Sequence, residues 1–321
     1  MRVVFFGTAE LASVSLAALA REDSLRPVAV VTQPDRPKGR ELKLAPSPVK
    51  ELACQLGLPT LQPDRARNPD FLATFRDLEP ELVLVAAYGQ LLPPAVLDVP
   101  QYGCLNVHAS LLPKFRGAAP IQWAILAGEA ETGVTIMKMD PGLDTGDILT
   151  QRATEITAND DSQTLHDRLA RLGGELLLET IPGYVTGSLK PSKQPVEGMT
   201  YARKISKEDG LLDWTLDARN LWNRVRAFTP WPGAFSFIAG PSKPVMLKIW
   251  RAEVVKNCSA APGTVVQADA ENLVVACGEG GLRLVEVQRE GGRRLATAAF
   301  LAGHPLAVGT RLFSPHPPSG S

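Results

Sequence analysis

Four short runs of this chain are apolar almost without alternation: Arg2–Phe6, Pro27–Thr32, Glu81–Ala87 and Gly103–Ala109. Successive strand residues point to opposite faces, so an unbroken aliphatic run buries both faces. The segments between and beyond them have helical or β character. Ala9–Ala20 is rich in Ala and Leu, and Pro48–Leu56 begins with a proline suited to a first helical turn. Ala119–Ala127 reads as a short helix, Gly133–Met139 as a β-rich run, and Leu165–Thr180 as a long helix closed by Pro182-Gly183. Apolar strands separated by helices predict a parallel sheet covered on both sides. Ligands on such sheets sit outside the carboxyl ends of the strands. Gly7, Tyr88-Gly89 and Asn106–Ser110 fall at those ends.

The pattern changes in the second half. Gly187–Lys207 has no clear periodicity and carries two prolines, two glycines and five basic residues, which reads as a linker. Beyond it, Asp217–Phe228 sets Leu221, Val225 and Phe228 on one helical face and Arg219, Asn223 and Arg226 on another. Short β-rich runs follow at Val245–Val255, Gly263–Gln267, Asn272–Cys277 and Gly281–Val287, joined by glycine-containing turns, which suggests a small OB-like barrel. The expected plan is therefore α/β. A Rossmann-like, mostly parallel sheet domain spans 1–189, a linker 190–207, and an OB-like β-barrel domain 208–313. The tail 314–321 reads as disordered.

The formal net charge of zero hides a division. Residues 1–189 hold 17 Lys and Arg against 23 Asp and Glu, whereas residues 190–321 hold 17 against 11. A basic second half is the footprint of a polyanionic partner, with chance as the plain alternative. Hydrophobic residues at 45% and charged residues at 21% fit an ordinary globular protein. The longest aliphatic run, Leu82–Ala87, is too short to cross a bilayer. Met1-Arg2 runs straight into VVFFG without an apolar signal region, so a cytoplasmic location is expected. Cys54, Cys104, Cys258 and Cys277 have no CxxC spacing, which reads as reduced thiols and no zinc site.

The chemistry concentrates in CLNVHASLLPKFRG, residues 104–117. Asn106 and His108 lie two apart on a strand and so share a face. Asp144, in PGLDTGD, could close a site around them. Donors aimed at a developing oxyanion, with a carboxylate supporting the imidazolium, suit formyl or acyl transfer to an amine. The plainer readings are a structural histidine at a strand end and aspartates capping a turn, the better reading for Asp140 and Asp147. The proline-rich loop Gln33–Pro48, QPDRPKGRELKLAPSP, carries Arg36, Lys38, Arg40 and Lys43. Its prolines and glycine exclude regular structure, and its length points to function or to a solvated excursion. Gly7-Thr8-Ala9 is not a dinucleotide fingerprint, and a tight βα turn explains it. No Walker loop or nucleophile elbow is present, and nothing argues for covalent catalysis.

NVHASLLPKFRGAAPIQWAI followed by GLDTGDI resembles the folate-dependent formyltransferase family, and the resemblance extends over residues 2–313. QPDRPKGR, YARKISKEDGLLDW and RAFTPWPGAF bring the chain nearest to the members that formylate a charged initiator tRNA. The resemblance implies 10-formyltetrahydrofolate as formyl donor and methionyl initiator tRNA as acceptor, for translation initiation. No metal is implied, and nothing demands more than a monomer. The family's catalytic trio falls on Asn106, His108 and Asp144. Its folate-contacting segment falls on Ser110, Leu111, Leu112 and Pro113, and Tyr88, Gly89, Gln90 and Leu91 are expected to line the pterin pocket. The loop residues Arg36, Lys38, Arg40 and Lys43 would enter the acceptor stem, with Arg40 the key contact. The C-terminal domain would bind tRNA. The loop departs from the family's usual GRGKKL, reading GRELKL with Glu41 and Leu42. The alternatives are a sugar-nucleotide amine formyltransferase using the same donor and a non-catalytic tRNA-binding protein.

Overall fold

The computed structural model describes residues 1–38, 43–240, 242–269 and 271–314. The chain falls into two compact units. The first comprises residues 1–120, 131–155 and 166–203; the second takes 121–130, 156–165 and the chain from 204 onward.

The first unit is built on one seven-stranded sheet. Its strands are β1 (Val3–Gly7), β2 (Pro27–Val31), β3 (Thr60–Leu61), β4 (Leu82–Ala86), β5 (Cys104–His108), β6 (Glu131–Lys138) and β7 (Ile148–Glu155). They lie in the order β7-β6-β5-β4-β1-β2-β3. The pairs from β5 through β3 are parallel, and β6 and β7 add on antiparallel. Every residue of β1, β4 and β5 is buried, as unbroken apolar runs require. On one side of the sheet Phe6 meets Phe71, Phe75 and Tyr88 edge-on, with ring centroids 5.2–6.2 Å apart. The helix Pro48–Gln55 starts where Ser47 accepts the Lys50 amide.

Three expectations are corrected. The basic loop is not devoid of regular structure: Arg36–Lys38 and Lys43–Ala45 pair antiparallel. A two-stranded pair leaves each strand a free edge, where a proline's missing N–H costs nothing. The long helix does not stop before Pro182 but runs Ser162–Val185. Near a helix end the proline forfeits little, and its carbonyl still accepts the Thr186 amide at 3.1 Å. Residues 190–203 are built into the first unit rather than forming a free linker. There Tyr201–Ala202 pairs in parallel with Arg116–Gly117.

The second unit carries a wholly antiparallel sheet: β8 (Ala234–Ile238), β9 (Val245–Val255), β10 (Val265–Ala268), β11 (Leu273–Ala276), β12 (Gly281–Arg289), β13 (Arg294–Ala296) and β14 (Leu312–Phe313). Its order is β10-β11-β12-β9-β8-β14, with β13 on β12. The sheet curls until its outer strands approach. Val265 N donates to Thr310 O and Leu312 N to Gly263 O, at 2.8 and 2.7 Å. Leu247, Ile249, Leu282, Leu284 and Val287 fill the interior against Leu221 and Val225 of the helix Ala218–Ala227. Asn223 departs from the polar face expected of it. It is 4% exposed, and its Oδ1 accepts from Arg226, whose guanidinium lies 3.7 Å over Trp222. Among the described residues no helix is long and apolar enough to cross a membrane, and no group of His, Cys, Asp and Glu gathers in a form that could hold a metal. The tail 315–321 lies outside the described residues.

Candidate active site

β5 lies between β4 and β6, with Asn106 opposite Val85 and Met137, and His108 opposite Thr135. Asn106 and His108 leave the same face of the strand and are 9% and 5% exposed. His108 Nε2 lies 3.0 Å from the carbonyl oxygen of Phe115. A carbonyl only accepts, so Nε2 is the donor and Nδ1 is left facing outward. That outward nitrogen stands 3.7 Å from Asp144 Oδ2. The turn between His108 and Phe115 is bent tightly enough that Phe115 sits at φ 60°, a left-handed backbone unusual for an aromatic residue.

Asp144 is brought in by the loop after β6. Its own φ is 51°, so both ends of the His108 geometry rest on left-handed residues. The Asp144 carboxylate takes the Gly117 amide on Oδ2 at 2.9 Å and faces Asn106 Nδ2 with Oδ1 at 3.5 Å. Asp140 does what a turn aspartate does, accepting from Gly142 N and Thr145 Oγ1 at 3.1 and 2.7 Å. Gln194 Nε2 donates to the carbonyls of Asp144 and Gly146 at 2.8 and 2.7 Å. The buried Arg116 in turn donates twice to Gln194 Oε1, at 3.0 and 2.6 Å.

The Ser110-Leu111-Leu112-Pro113 turn is fixed by polar contacts. Ser110 Oγ donates to Lys114 O at 2.6 Å. Thr135 Oγ1, fully buried, donates to Ser110 O at 2.7 Å and accepts from Leu112 N at 3.0 Å. Gln151 Nε2 donates both to Thr135 Oγ1 and to Leu112 O. Ser110 and Leu112 are buried, whereas Leu111 and Pro113 are half-buried.

Residues 1–181 match the formyl transferase family model, and residues 204–305 match that of the formyl transferase C-terminal domain. The chain belongs to the formyl transferase family. The methionyl-tRNA formyltransferase of Caldanaerobacter subterraneus subsp. tengcongensis is 50% identical over 313 residues, covering 97% of this chain and 100% of that protein. The structure of HypX from Aquifex aeolicus in complex with tetrahydrofolic acid superposes with a TM-score of 0.62 at 19% identity. That match covers 96% of this chain but 48% of HypX. The N-formyltransferase from Helicobacter canadensis, in complex with folinic acid and dTDP-3-aminofucose, superposes with a TM-score of 0.61 at 16% identity, over 92% of this chain and 100% of that one. Both structures share the fold at low identity.

In this formyl transferase the Tyr88–Leu91 loop leaves the carboxyl end of β4, next to β5. Its residues divide. The Tyr88 ring belongs to the core, 2% exposed, and burial pushes its phenol up to about 12. Its carbonyl oxygen accepts from Thr8 Oγ1 at 2.9 Å and from Gln33 Nε2 at 2.8 Å, and Tyr88 is not among the residues that line the adjoining cleft. Gly89, Gln90 and Leu91 line a cleft of about 580 Å³ together with Gln33, Asp64 and three arginines, Arg36, Arg65 and Arg67. Gly89 has φ 84°, and a Cβ there would meet Gln33 Nε2 at 2.6 Å. Of the loop cations, Arg36 is exposed and donates to Gln33 Oε1 at 2.9 Å. Lys38 and Lys43 are backbone register partners in the paired strands. Arg40 lies outside the described residues. At the root of the loop Asp35 accepts from Lys50 Nζ and Gln62 Nε2, which hold its carboxyl below the usual carboxylate range.

Phe115, Arg116, Gly117, Thr135 and Gln194 were not singled out from sequence. Arg116 and Gly117 stood inside the diagnostic motif, and their isolated charge and glycine were the available signals. Gln194 sits in an aperiodic stretch that carries none.

Proposed function

We propose that this chain transfers the formyl group of 10-formyltetrahydrofolate to the α-amino group of methionyl initiator tRNA, the step that prepares the tRNA for translation initiation in the cytoplasm. The observation that carries the reading is the meeting of the Asp144 carboxylate with Asn106 Nδ2 and His108 Nδ1 at 3.5 and 3.7 Å, at the carboxyl edge of a mostly parallel sheet. The 50% identity to a methionyl-tRNA formyltransferase over the full chain selects the substrate.

The donor set fits an anionic folate. The cleft beside Gly89–Leu91 offers backbone groups and an apolar side chain to a heteroaromatic ring, and Arg65 and Arg67 to carboxylates. The donor supplies, when bound, a formyl carbon held on nitrogen. Ser110–Pro113, locked by Thr135, and Gly89–Leu91 orient it. Asn106 Nδ2–H and a donor at His108 Nδ1 would face the formyl oxygen of the bound donor, where negative charge would develop as the amine attacks. Donors so placed are each worth about 10²–10³ in rate. Asp144 holds a negative charge opposite Nδ1 and accepts the proton shed by the amine, while His108 Nδ1–H gives its proton to the departing nitrogen. Direct attack needs no nucleophilic side chain.

The basic loop at Arg36, Lys38, Arg40 and Lys43 and the second unit, an OB-like barrel in this reading, hold the tRNA, and the chain acts as a monomer. The deciding experiment is a formylation assay with charged initiator and elongator tRNA, with and without the folate donor, and with an amino-sugar nucleotide as a rival acceptor. Donor-dependent formylation of initiator methionyl-tRNA is expected. Formylation of the sugar alone would transfer the assignment to the sugar-nucleotide class, and no folate-dependent product on any acceptor would leave a binding protein.

A further inference from the structure

The stretch 194–202, although aperiodic in sequence, reaches both acid–base groups of the site. At one end Gln194 Nε2 holds the backbone carbonyls of Asp144 and Gly146. Its Oε1 is held in turn by the buried Arg116 guanidinium. At the other end Thr200 Oγ1 accepts the Phe115 amide at 2.8 Å, and Thr200 O accepts the Arg116 amide at 2.9 Å. Phe115 is the residue whose carbonyl fixes His108 Nε2. Two residues past Thr200, Ala202 pairs with Gly117, whose amide binds Asp144 Oδ2. A Cβ on Gly117 would stand 2.7 Å from Ala202 O, so only glycine admits this approach. One strap of backbone thus sets the positions of both members of the His108–Asp144 pair.

We infer that Gln194 is a positioning residue for Asp144, and that the 194–202 strap fixes the separation between Asp144 and His108. The inference rests on the catalytic roles proposed above. Asp144 sits at a left-handed φ of 51°, a region that aspartate visits only occasionally. The two Gln194 donors on the carbonyls at 144 and 146 hold that turn from outside. Without them the loop has less to keep the carboxylate within reach of Nδ1, and a misplacement of about 1 Å is costly to rate.

Two substitutions separate positioning from support. Gln194→Met removes every hydrogen bond of the amide. Gln194→Glu keeps an acceptor for Arg116 but replaces the donor by an oxygen facing two carbonyls. For Gln194→Glu we expect kcat to fall by about tenfold or more, with KM for tRNA and donor within about twofold, since the contact supports the transition state rather than substrate binding. In an Asp144→Ala background the same substitution should cost less than about twofold, because Gln194 acts through Asp144. Hydrogen exchange at the Gly117 amide, which reports the hold of Asp144 Oδ2 without any turnover, should quicken about tenfold in both variants. Unchanged Gly117 exchange in both, full kcat for both, or a cost that persists undiminished in the Asp144→Ala background would overturn the inference. A parent enzyme that formylates nothing, with Gly117 exchange still quickened in the variants, would instead overturn the catalytic reading and leave the strap standing.

Discussion

His108 donates from Nε2 to the carbonyl of Phe115, seven residues on, and this bond decides which ring nitrogen is free for chemistry. With Nε2 committed, only Nδ1 faces Asp144. A glutamine at 108 can place its amide nitrogen near the Nε2 position but has nothing at Nδ1. His108→Gln should therefore fold with a near-parental melting temperature while kcat/KM for methionyl-tRNA drops by about 10² or more. Turnover within tenfold of the parent would remove Nδ1 from the mechanism.

Asp144 combines charge and strain, and the two can be separated. Asparagine tolerates the left-handed region about as well as aspartate. Asp144→Asn should leave stability within about 1 kcal/mol of the parent, because the Gly117 amide still finds an oxygen. Formylation should nonetheless fall about 10²-fold, since the charge opposite Nδ1 is gone. Chemical denaturation beside steady-state kinetics checks both halves, and an active Asn variant would show that the carboxylate serves geometry alone.

What could be read from residues and what could not divide on physical lines. The buried parallel strands were legible because each is apolar on both faces, and Asn106 with His108 was legible because a strand has a strict period of two. β7, ILTQRATE, escapes a reading by apolar pattern because the less exposed positions after Leu149 are Thr150, Arg152 and Thr154, so no apolar face shows in the sequence. β3 and β14 are two residues long and exist through neighbours rather than propensity. The strap was illegible for the same reason. Gln194 and Thr200 matter through long-range hydrogen bonds, and nothing local marks them. The loop at Arg36–Ala45 misled in the other direction, since prolines exclude helix and central strand but not an isolated strand pair.

Thr135 is the buried pin of the Ser110–Pro113 turn. Valine has its shape but neither donor nor acceptor, so Thr135→Val strips the Leu112 amide and the Ser110 carbonyl of a partner in a region closed to water. An unsatisfied buried backbone group costs about 1–3 kcal/mol. Urea unfolding should register a loss in that range, and the KM for the folate donor should rise as the turn loosens. A neutral substitution would mean that water or a shifted backbone replaces the hydroxyl.

The clamp at the root of the basic loop carries a pH signature. Hydrogen bonds from Lys50 and Gln62 lower the Asp35 pKa in the folded chain. A carboxyl whose folded pKa is depressed adds stability above its unfolded value, near 3.9, and loses it as pH falls through the folded value. Asp35 is solvent-exposed enough that the effect is small and salt-sensitive. Melting curves of the parent and Asp35→Asn should therefore differ at pH 5–7 and converge as the pH is taken below about 4. A difference that persists undiminished in acid would assign the contribution to shape rather than charge.

The loop's departure from GRGKKL predicts a measurable difference in tRNA binding. Glu41 and Leu42, which lie outside the described residues, stand where the GRGKKL pattern has a neutral and a basic residue, so the net charge of the loop is about two units lower than that pattern would give. Each phosphate neutralised by a basic side chain releases counterions and steepens the fall of log K with log salt by about 0.7–0.9. Glu41→Gly combined with Leu42→Lys should steepen the slope by roughly one contact or more and tighten binding most at low salt. The comparison is a salt titration of initiator tRNA binding at several ionic strengths. A slope unchanged by the pair would mean that this part of the loop does not approach phosphate, and would shift the loop's contribution to Arg36, Lys38 and Lys43.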